Sequence, residues 1–295
     1  MSTPDLVVVG NLLVDDLVYD DGRTRMAQPG GALLHAALGA SVWGTKVGLV
    51  SIVGSDYPRE ALQTMASRGV SLEGLRHLET PGVRVWLLYE NGARRMIPRL
   101  GRPSHEAVSP LPEHVPKAYH GAPALHVAPM PLSRQRAMVE AFGNGGRLVS
   151  LDPCEPLSLE TLPVFRACSE HTDVVFLSDD EIDIASREEA LASLVGGRTR
   201  YVLHKRGRHG GTVYLAGSRT RTWSASPANE IDPTGAGDVF AAAFMAALAT
   251  RASLEDALSR AAASAARAVE GIGSESIRDS RQSDLERRMV VALLD

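Results

Sequence analysis

The sequence has little cysteine, no excess of positive charge and no long apolar run. Cysteine occurs only at Cys154 and Cys168, and this number and spacing fit neither a disulfide framework nor a zinc site. The formal net charge of −4 at pH 7 gives no electrostatic basis for binding nucleic acid. No window approaches the length of an apolar membrane span, and residues 1–10 lack a basic start. These absences predict a cytoplasmic protein with a small-molecule substrate, and neither nucleic acid nor a membrane as partner.

The sequence does contain a regular alternation of short apolar runs and helical stretches. With 295 residues, 44% of them hydrophobic, it can bury a large core. Apolar runs ended by turn residues indicate strands covered on both faces, at 6–11, 46–56, 124–129, 146–153, 173–178 and 200–207. Helical patterns occupy 31–44, 57–70, 132–143 and 179–195. The alternation predicts an α/β fold in a single domain over 1–295, with a doubly wound, mostly parallel sheet and helices on both faces.

Two segments, approximately 12–28 and 82–100, break this alternation. Their polar and apolar residues alternate with period two around the tight turns DDG and ENG, which is typical of β-hairpins. Such segments do not suit a doubly wound sheet, so we expect them to form a small β lid over the binding crevice at the carboxyl ends of the strands. The exposed edges of such a lid suggest a possible homodimer.

The stretch EIDPTGAGDVFAAAFMAAL at 230–248 places two carboxylates around a turn of small residues at the start of a predicted helix. Gly235, Ala236 and Gly237 let backbone N–H groups approach a ligand closely, and a helix N-terminus favours a phosphate-like anion. Asp238 could be an ordinary acidic residue of a first helical turn. A carboxylate beside bound phosphate, however, needs a chemical task such as accepting a proton from an attacking hydroxyl. The pattern therefore predicts phosphoryl transfer.

The sequence DPTGAGDVFAAAF resembles the C-terminal signature of the ribokinase-like (PfkB) family of carbohydrate and nucleoside kinases. The resemblance extends to VVVGNLLVDD, QPGGALLHAALGASVWG, VGLVSIVGSD and VLHKRGRHGG. It implies a doubly wound α/β domain with a small β lid, and an ATP-dependent kinase that uses Mg²⁺. By this resemblance Asp238 is the general base, and the backbone of Gly235, Ala236 and Gly237 is the anion hole.

The resemblance leaves the acceptor open. The GN…D…GGA layout with its short lid is similar to that of the inositol kinases of plants and archaea, which favours a small sugar or polyol, inositol-like or a monosaccharide. A nucleoside such as cytidine or adenosine is the alternative within the family. A non-catalytic sugar- or nucleotide-binding regulator on a kinase scaffold is a further alternative, because Ser178 and Lys205 depart from the family pattern.

The resemblance assigns the substrate end to Asp15, Gly30, Gly31 and His35. Asp15 stands where the family places a carboxylate that accepts hydrogen bonds from substrate hydroxyls. Gly30 and Gly31 match paired glycines that let a sugar lie against the backbone, although they could simply begin a helix. His35 replaces the asparagine of many members and could equally be a core residue. Asp16, one residue after Asp15, is expected on the surface of the lid.

The nucleotide end falls on two segments. In FLSDDEIDIAS, Ser178 and Glu181 occupy the place of the family's Asn-x-x-Glu motif, whose glutamate helps to organise magnesium through water. In HKRGRHGG, Lys205 stands where a small polar residue is usual and is followed by Gly207 and Gly210. Lys205 could pair with nucleotide phosphates, or it could be only a lysine at a strand end.

The segment RAVEGIGSESI resembles a loop that holds a monovalent cation, here potassium, in many relatives. An ordinary helix C-cap is the alternative for its first glycine. The matching positions are Asp232, Thr234, Ala268, Gly271 and Gly273.

Four further charged residues receive no firm role. Asp152 follows a predicted strand and should lie at the same sheet edge as the site. Arg84, Arg95 and Arg99 of the second lid segment could be solvated charges, or they could meet an acidic substrate or the phosphates.

Overall fold

The structure, a computed structural model, describes residues 3–90, 93–217, 219–289 and 293–294. Its strands are β1 (Leu6–Val9), β2 (Leu13–Val18), β3 (Thr24–Gly30), β4 (Val47–Val53), β5 (Ser71–His77), β6 (Arg84–Glu90), β7 (Ala93–Pro98), β8 (Ala124–Val127), β9 (Leu148–Leu151), β10 (Leu157–Ser158), β11 (Val174–Ser178), β12 (Ile182–Asp183), β13 (Tyr201–Lys205), β14 (Gly211–Leu215), β15 (Arg219–Trp223) and β16 (Leu293–Leu294). Its helices are α1 (Ala32–Ser41), α2 (Arg59–Ser67), α3 (His105–Val108), α4 (Leu132–Phe142), α5 (Leu162–Ser169), α6 (Arg187–Ala192), α7 (Ala236–Ala249), α8 (Leu254–Ala268), α9 (Glu275–Arg278) and α10 (Gln282–Glu286). Among the described residues, none of these helices has the length and apolar character needed to cross a membrane.

The main sheet is mostly parallel, as predicted. Within the described residues it has ten strands in the order β16-β15-β14-β13-β11-β9-β8-β1-β4-β5. The seven strands from β13 to β5 run parallel, whereas β14, β15 and β16 pair antiparallel at one edge. The carboxyl ends of the parallel strands therefore share one side of the sheet, where a ligand site is expected.

The pleat of β1 explains why helices cover both faces of this sheet. Leu6 and Val8 belong to a core cluster with residues of α1, α7 and α8, while Val7 and Val9 belong to a second cluster with residues of α4 and α5. Helices α1 and α7 approach closely at Gly39, where a Cβ would lie 2.9 Å from the backbone of Val239. This close approach sets α1 against the N-terminal half of α7.

The interrupting segments form a separate small sheet in the order β3-β2-β6-β7. Strand β2 pairs antiparallel with β3 and parallel with β6, and β6 pairs antiparallel with β7. The strands span 13–30 and 84–98, close to the predicted segments. The predicted ENG turn lies partly outside the described residues.

The prediction that Asp16 lies on the surface of the lid is wrong. Asp16 is fully buried within the small sheet. Its carboxylate accepts hydrogen bonds from the Arg84 side chain, from Nη1 of Arg99 at 2.7 Å and from the backbone N of Ala27 at 2.8 Å. Burial raises the pKa of Asp16, but these hydrogen bonds outweigh it and lower the pKa to about 2. Arg84 and Arg99 are thus ion-paired with Asp16 and only partly exposed, whereas Arg95 is exposed beside Glu90.

The predicted helix over 179–195 is wrong in its first half. A turn at 179–181 leads into β12, and the helix α6 begins only at Arg187. The carboxylate of Glu181 accepts a hydrogen bond from the backbone N of Ser178 at 2.6 Å and closes the turn. Ile182 is buried in a local apolar cluster. These tertiary contacts override the helical pattern.

Candidate active site

The glycine turn begins α7 and separates two cavities. Gly235 is the N-cap in a left-handed conformation (φ 75°, ψ 0°), and Asp238 lies in the first helical turn. Thr234 lines a cavity of about 280 Å³, whereas Ala236 and Gly237 line another of about 670 Å³. The backbone of the turn is therefore the wall between the two cavities, with the N-terminus of α7 directed at the junction.

The smaller cavity contains the predicted substrate residues Asp15 and His35 in its lining. The carboxylate of Asp15 is buried against Gly30, where any Cβ would overlap it. Gly31 is the N-cap of α1 with φ 95°, and a Cβ there would overlap the carbonyl oxygen of Asn11. The paired glycines thus serve local packing. Their contact with a substrate stays a prediction.

His35 lies against the glycine turn. It is buried on α1, and its imidazole ring occupies the space that a Cβ at Gly235 would take. The close approach of α1 and α7 at Gly39, one turn farther along α1, brings the ring to this place. His35 therefore belongs both to the core and to the cavity wall.

The remaining lining of the smaller cavity combines apolar, neutral polar and charged side chains. The small sheet covers it with Leu17, Ala27, Gln28 and Pro29. Its further charged residues are Glu60, Glu275 and Arg278, and the guanidinium of Arg278 is paired with Asp279 at 2.8 Å. The carboxylates of Asp15, Glu60 and Glu275 outnumber the guanidinium of Arg278 in this lining, so the cavity is poorly suited to an anionic acceptor.

Two contacts tie the small sheet to the main domain beside this cavity. Nη1 of Arg25 lies 2.9 Å from Oε1 of Glu275. The hydroxyl of Tyr89 lies 2.7 Å from Oγ1 of Thr234 and donates to Oδ1 of Asp232 at 3.3 Å. Neither contact could be predicted from the sequence, since each joins residues more than 140 positions apart.

The larger cavity has a polar end and an apolar end. Of the residues predicted at the nucleotide end, Ser178, Lys205, Gly207 and Gly210 line it, whereas Glu181 is not among its lining residues. Gly237 of the glycine turn also lines it, as do Arg206 and Arg208, for which no role was predicted. Small or apolar side chains from the segment after β15 and from the C-terminal part of α8 form another part of the lining, among them Ala225, Pro227, Ala262, Ala266 and Val269. The acidic residues Asp179, Asp180 and Glu230 also line this cavity. A glycine-rich cationic end joined to an apolar end suits a nucleotide, with its phosphates toward the turn and its base between apolar walls.

Gly207 and Gly210 shape the turn after β13. Their φ angles are 51° and 73°, which favour glycine. A Cβ at Gly210 would overlap the carbonyl oxygen of Trp223, whereas the space around Gly207 is open. Both residues therefore have backbone roles, and Gly207 leaves room for a ligand.

The Glu181 carboxylate and the Lys205 ammonium attract each other: the ammonium acts to lower the pKa of Glu181, and the carboxylate acts to raise the pKa of Lys205. Burial raises the pKa of Glu181 to about 7, because its effect exceeds that of the nearby Lys205 ammonium. Among the residues that the structure describes, no three His, Cys, Asp or Glu side chains converge as a metal site. The half-buried carboxylate of Glu181 would suit a magnesium ion that is held mainly by water and phosphate oxygens.

Lys205 is buried and ion-paired with Asp152. Its Nζ lies 3.1 Å from Oδ1 and 3.3 Å from Oδ2 of Asp152, at the ends of β13 and β9. Burial raises the pKa of Asp152 to about 6 against the opposing effect of Lys205. Desolvation lowers the pKa of Lys205, but Asp152 and Glu181 outweigh it and raise that pKa. Sequence reasoning placed Asp152 at this sheet edge but missed its partner.

Of the residues predicted to hold a monovalent cation, Thr234 and Gly273 are hydrogen-bonded to Asp232. Its carboxylate accepts hydrogen bonds from the backbone N of Thr234 at 2.9 Å and of Gly273 at 2.8 Å. Helix α8 ends at Ala268 with Val269 as its C-cap, so the alternative of Gly271 as the C-cap is wrong. Asp232 therefore joins the glycine turn to the 271–273 loop.

Comparisons with known proteins agree with this geometry. Residues 4–280 match the family described as pfkB family carbohydrate kinase. A cytidine kinase of Thermococcus kodakarensis is 29% identical over 85% of this chain and 91% of its own length. A fructokinase of Salmonella typhimurium is 30% identical over 82% and 83%. The structure of Arabidopsis thaliana ribokinase complexed with ribose and ATP superposes with a TM-score of 0.76 at 20% identity, covering 97% of this chain and 99% of that one. The chain belongs to the pfkB family of carbohydrate kinases.

Proposed function

We propose that the protein transfers the γ-phosphoryl group of ATP to a hydroxyl of a small uncharged sugar or polyol. The observation that carries this proposal is the glycine turn, whose backbone separates a nucleotide-sized cavity from a smaller cavity with a buried carboxylate. Two substrates in these cavities would meet at the N-terminus of α7. Asp238 in its first turn would be close to the reacting atoms.

In this mechanism Asp238 accepts the proton of the attacking hydroxyl as the new O–P bond forms and the bond to the leaving ADP breaks. The N–H groups of Gly235, Ala236 and Gly237 stabilise the charge on the transferred group. Asp15 holds acceptor hydroxyls, since each carboxylate oxygen can accept a hydrogen bond. His35 limits the cavity on the side of the turn.

Magnesium and potassium enter as proposed cofactors. Glu181 would organise magnesium through water, and the ion would offset the phosphate charge. Asp232, together with backbone oxygens near Thr234, Ala268, Gly271 and Gly273, would hold potassium, for which hard oxygen ligands are suitable.

A nucleoside is the second candidate acceptor. Leu17, Leu34, Leu38 and Ile272 give the smaller cavity an apolar wall that a base could contact. The similarity to a cytidine kinase also favours it. An anionic acceptor is disfavoured by the acidic lining.

We also propose that the small sheet acts as a lid and that its edges support a homodimer. Met26 on β3 and Met96 and Ile97 on β7 are exposed apolar residues at the two outer strands. Apolar side chains on an open sheet edge favour association with a second copy.

The test is ADP release from ATP, Mg²⁺ and K⁺ with a panel of inositols, hexoses, ketohexoses, pentoses and nucleosides. The proposal predicts turnover with an uncharged sugar or polyol, and the second candidate predicts a preference for a nucleoside. Binding of sugar and nucleotide without any release of ADP would instead support a non-catalytic regulator.

A further inference from the structure

We propose that Asp152 is a positioning residue of the phosphoryl-transfer centre and that it acts through Lys205. Its carboxylate holds the Lys205 ammonium beside the glycine turn, where the ammonium is a fixed cation for the phosphate being transferred. This inference rests on the proposed function and deepens it.

The geometry of the ion pair shows restraint on both partners. Strand β11 lies between β9 and β13, so the Lys205 side chain must cross one strand to reach Asp152, and its Nζ passes 5.8 Å from the centroid of the Phe176 ring. The backbone N of Asp152 donates to the carbonyl of Val127 at 2.9 Å, and its own carbonyl accepts from Nε2 of Gln135 at 2.7 Å. A lysine at a strand end normally extends into water. Here a fixed carboxylate turns it inward.

The restrained ammonium stands at the anion site. A Cβ at Gly237 would lie only 3.3 Å from Nζ of Lys205. A cation at the N-terminus of a helix opposes the helix dipole. The arrangement becomes favourable when an anion such as phosphate occupies the space between them.

The charges around Lys205 explain why the centre needs this cation. Asp152, Glu181 and Asp238 all act electrostatically on the ammonium. His126, on the neighbouring β8, adds no positive charge, because burial lowers its pKa to about 3. Lys205 therefore sets a buried positive charge against these three carboxylates at the start of α7, in addition to the Arg206 and Arg208 side chains in the cavity lining.

A double-mutant cycle on kcat tests the inference. We expect Lys205→Met to lower kcat by about 10²-fold or more, in the range found for removing one charge-stabilising donor. Asp152→Asn should lower kcat at least about tenfold, because the ammonium is no longer held in place. The double variant should be no slower than Lys205→Met alone, because Asp152 acts only through the lysine. Effects that multiply, or an Asp152→Asn variant with full activity, would overturn the inference.

Asp173→Asn is the matched control. Its carboxylate also pairs with a cation, the guanidinium of Arg198, at 2.8 Å. Asp173 directly precedes β11, so it lies at the amino ends of the parallel strands, opposite to the edge that carries Asp152 and Lys205. We expect it to lower the unfolding temperature with kcat within about twofold of the wild type. A comparable loss of kcat in this control would assign the Asp152 effect to general destabilisation.

Calorimetric binding separates this inference from the proposed function. Lys205→Met and Asp152→Asn should weaken binding of a non-hydrolysable ATP analogue more than binding of ADP, since the lysine faces the phosphate in transfer. This measurement needs no acceptor and stays valid if no acceptor turns over. Equal weakening of both nucleotides would contradict the placement of Lys205.

Discussion

Replacing Gly235 with alanine should destabilise the protein, whereas the same change at Gly237 should not. Gly235 has a φ of 75°, a conformation that costs an L-residue about 1–2 kcal/mol. Its new Cβ would also overlap the buried imidazole of His35. Displacing a buried ring by overpacking costs about 1–3 kcal/mol, and a lower entropy of the unfolded chain returns less than about 1 kcal/mol. We expect a net loss of about 1–5 kcal/mol in the free energy of unfolding.

Gly237→Ala is the matched control, two residues away in the same turn. Gly237 lies in the first turn of α7 without a positive φ, and its new Cβ would lie 3.3 Å from Nζ of Lys205, a contact that a shift of the ammonium by a few tenths of an ångström relieves. Alanine is favoured over glycine in a helix by up to about 1 kcal/mol. We therefore expect stability equal to or above that of the wild type, together with lower turnover because the methyl group displaces the ammonium.

Urea unfolding at pH 7, followed by circular dichroism, measures both variants. If Gly235→Ala unfolds at the same urea concentration as the wild type, then Gly235 does not hold the left-handed conformation and His35 does not press on it. Equal destabilisation by both substitutions would equally contradict the assigned geometry of the turn.

Three further predictions concern the lid and the cation loop. Asp16→Asn should lower the free energy of unfolding at pH 7 by at least about 2 kcal/mol, because the pKa of Asp16 falls from 3.8 to about 2 on folding. In the wild type this contribution is present above about pH 4 and is lost as the pH falls toward 2. Urea titrations should therefore show a difference in the free energy of unfolding between the two proteins at pH 7, and that difference should be largely lost at pH 2. Tyr89→Phe should raise the acceptor KM about fivefold through the lost hydrogen bonds to the turn. In the control Tyr19→Phe the acceptor KM should stay within about twofold of the wild type, because the Tyr19 hydroxyl has no hydrogen-bond partner among the described residues. Equal effects of the two substitutions on KM would refute a specific role for Tyr89. Replacing potassium with choline should lower turnover reversibly, and indifference to the cation would remove the proposed site at Asp232.

The main sheet could be predicted because its strands are continuous apolar runs. Each of the six runs contains a strand of the structure, since a strand covered on both faces must be apolar on both. The antiparallel strands β14 and β15 were missed, because neither is a continuous apolar run: β14 reads Gly-Thr-Val-Tyr-Leu, and β15 reads Arg-Thr-Arg-Thr-Trp. The stretch 179–195 was misjudged, because the carboxylate of Glu181 and the burial of Ile182 decide its first half.

The candidate site was predictable where one segment carries the chemistry, as the glycine turn does. Pairings between distant segments were not predictable. Asp15 and Asp16 are neighbours on β2 and point to opposite faces, but only the register with β6 shows that Arg84 covers Asp16. Asp152 and Lys205 meet because β11 alone separates their strands, and this strand order is a property of the folded sheet.

Asp238→Asn decides whether the proposed phosphoryl transfer uses this carboxylate as its base. Acceptor-dependent ADP release should be measured for this variant beside the wild type, with the affinity for a non-hydrolysable ATP analogue as a check on binding. We expect kcat to fall by about 10² to 10⁴-fold or more while nucleotide affinity changes little. Full activity in Asp238→Asn would show that another group accepts the proton and that the role assigned to Asp238 is wrong.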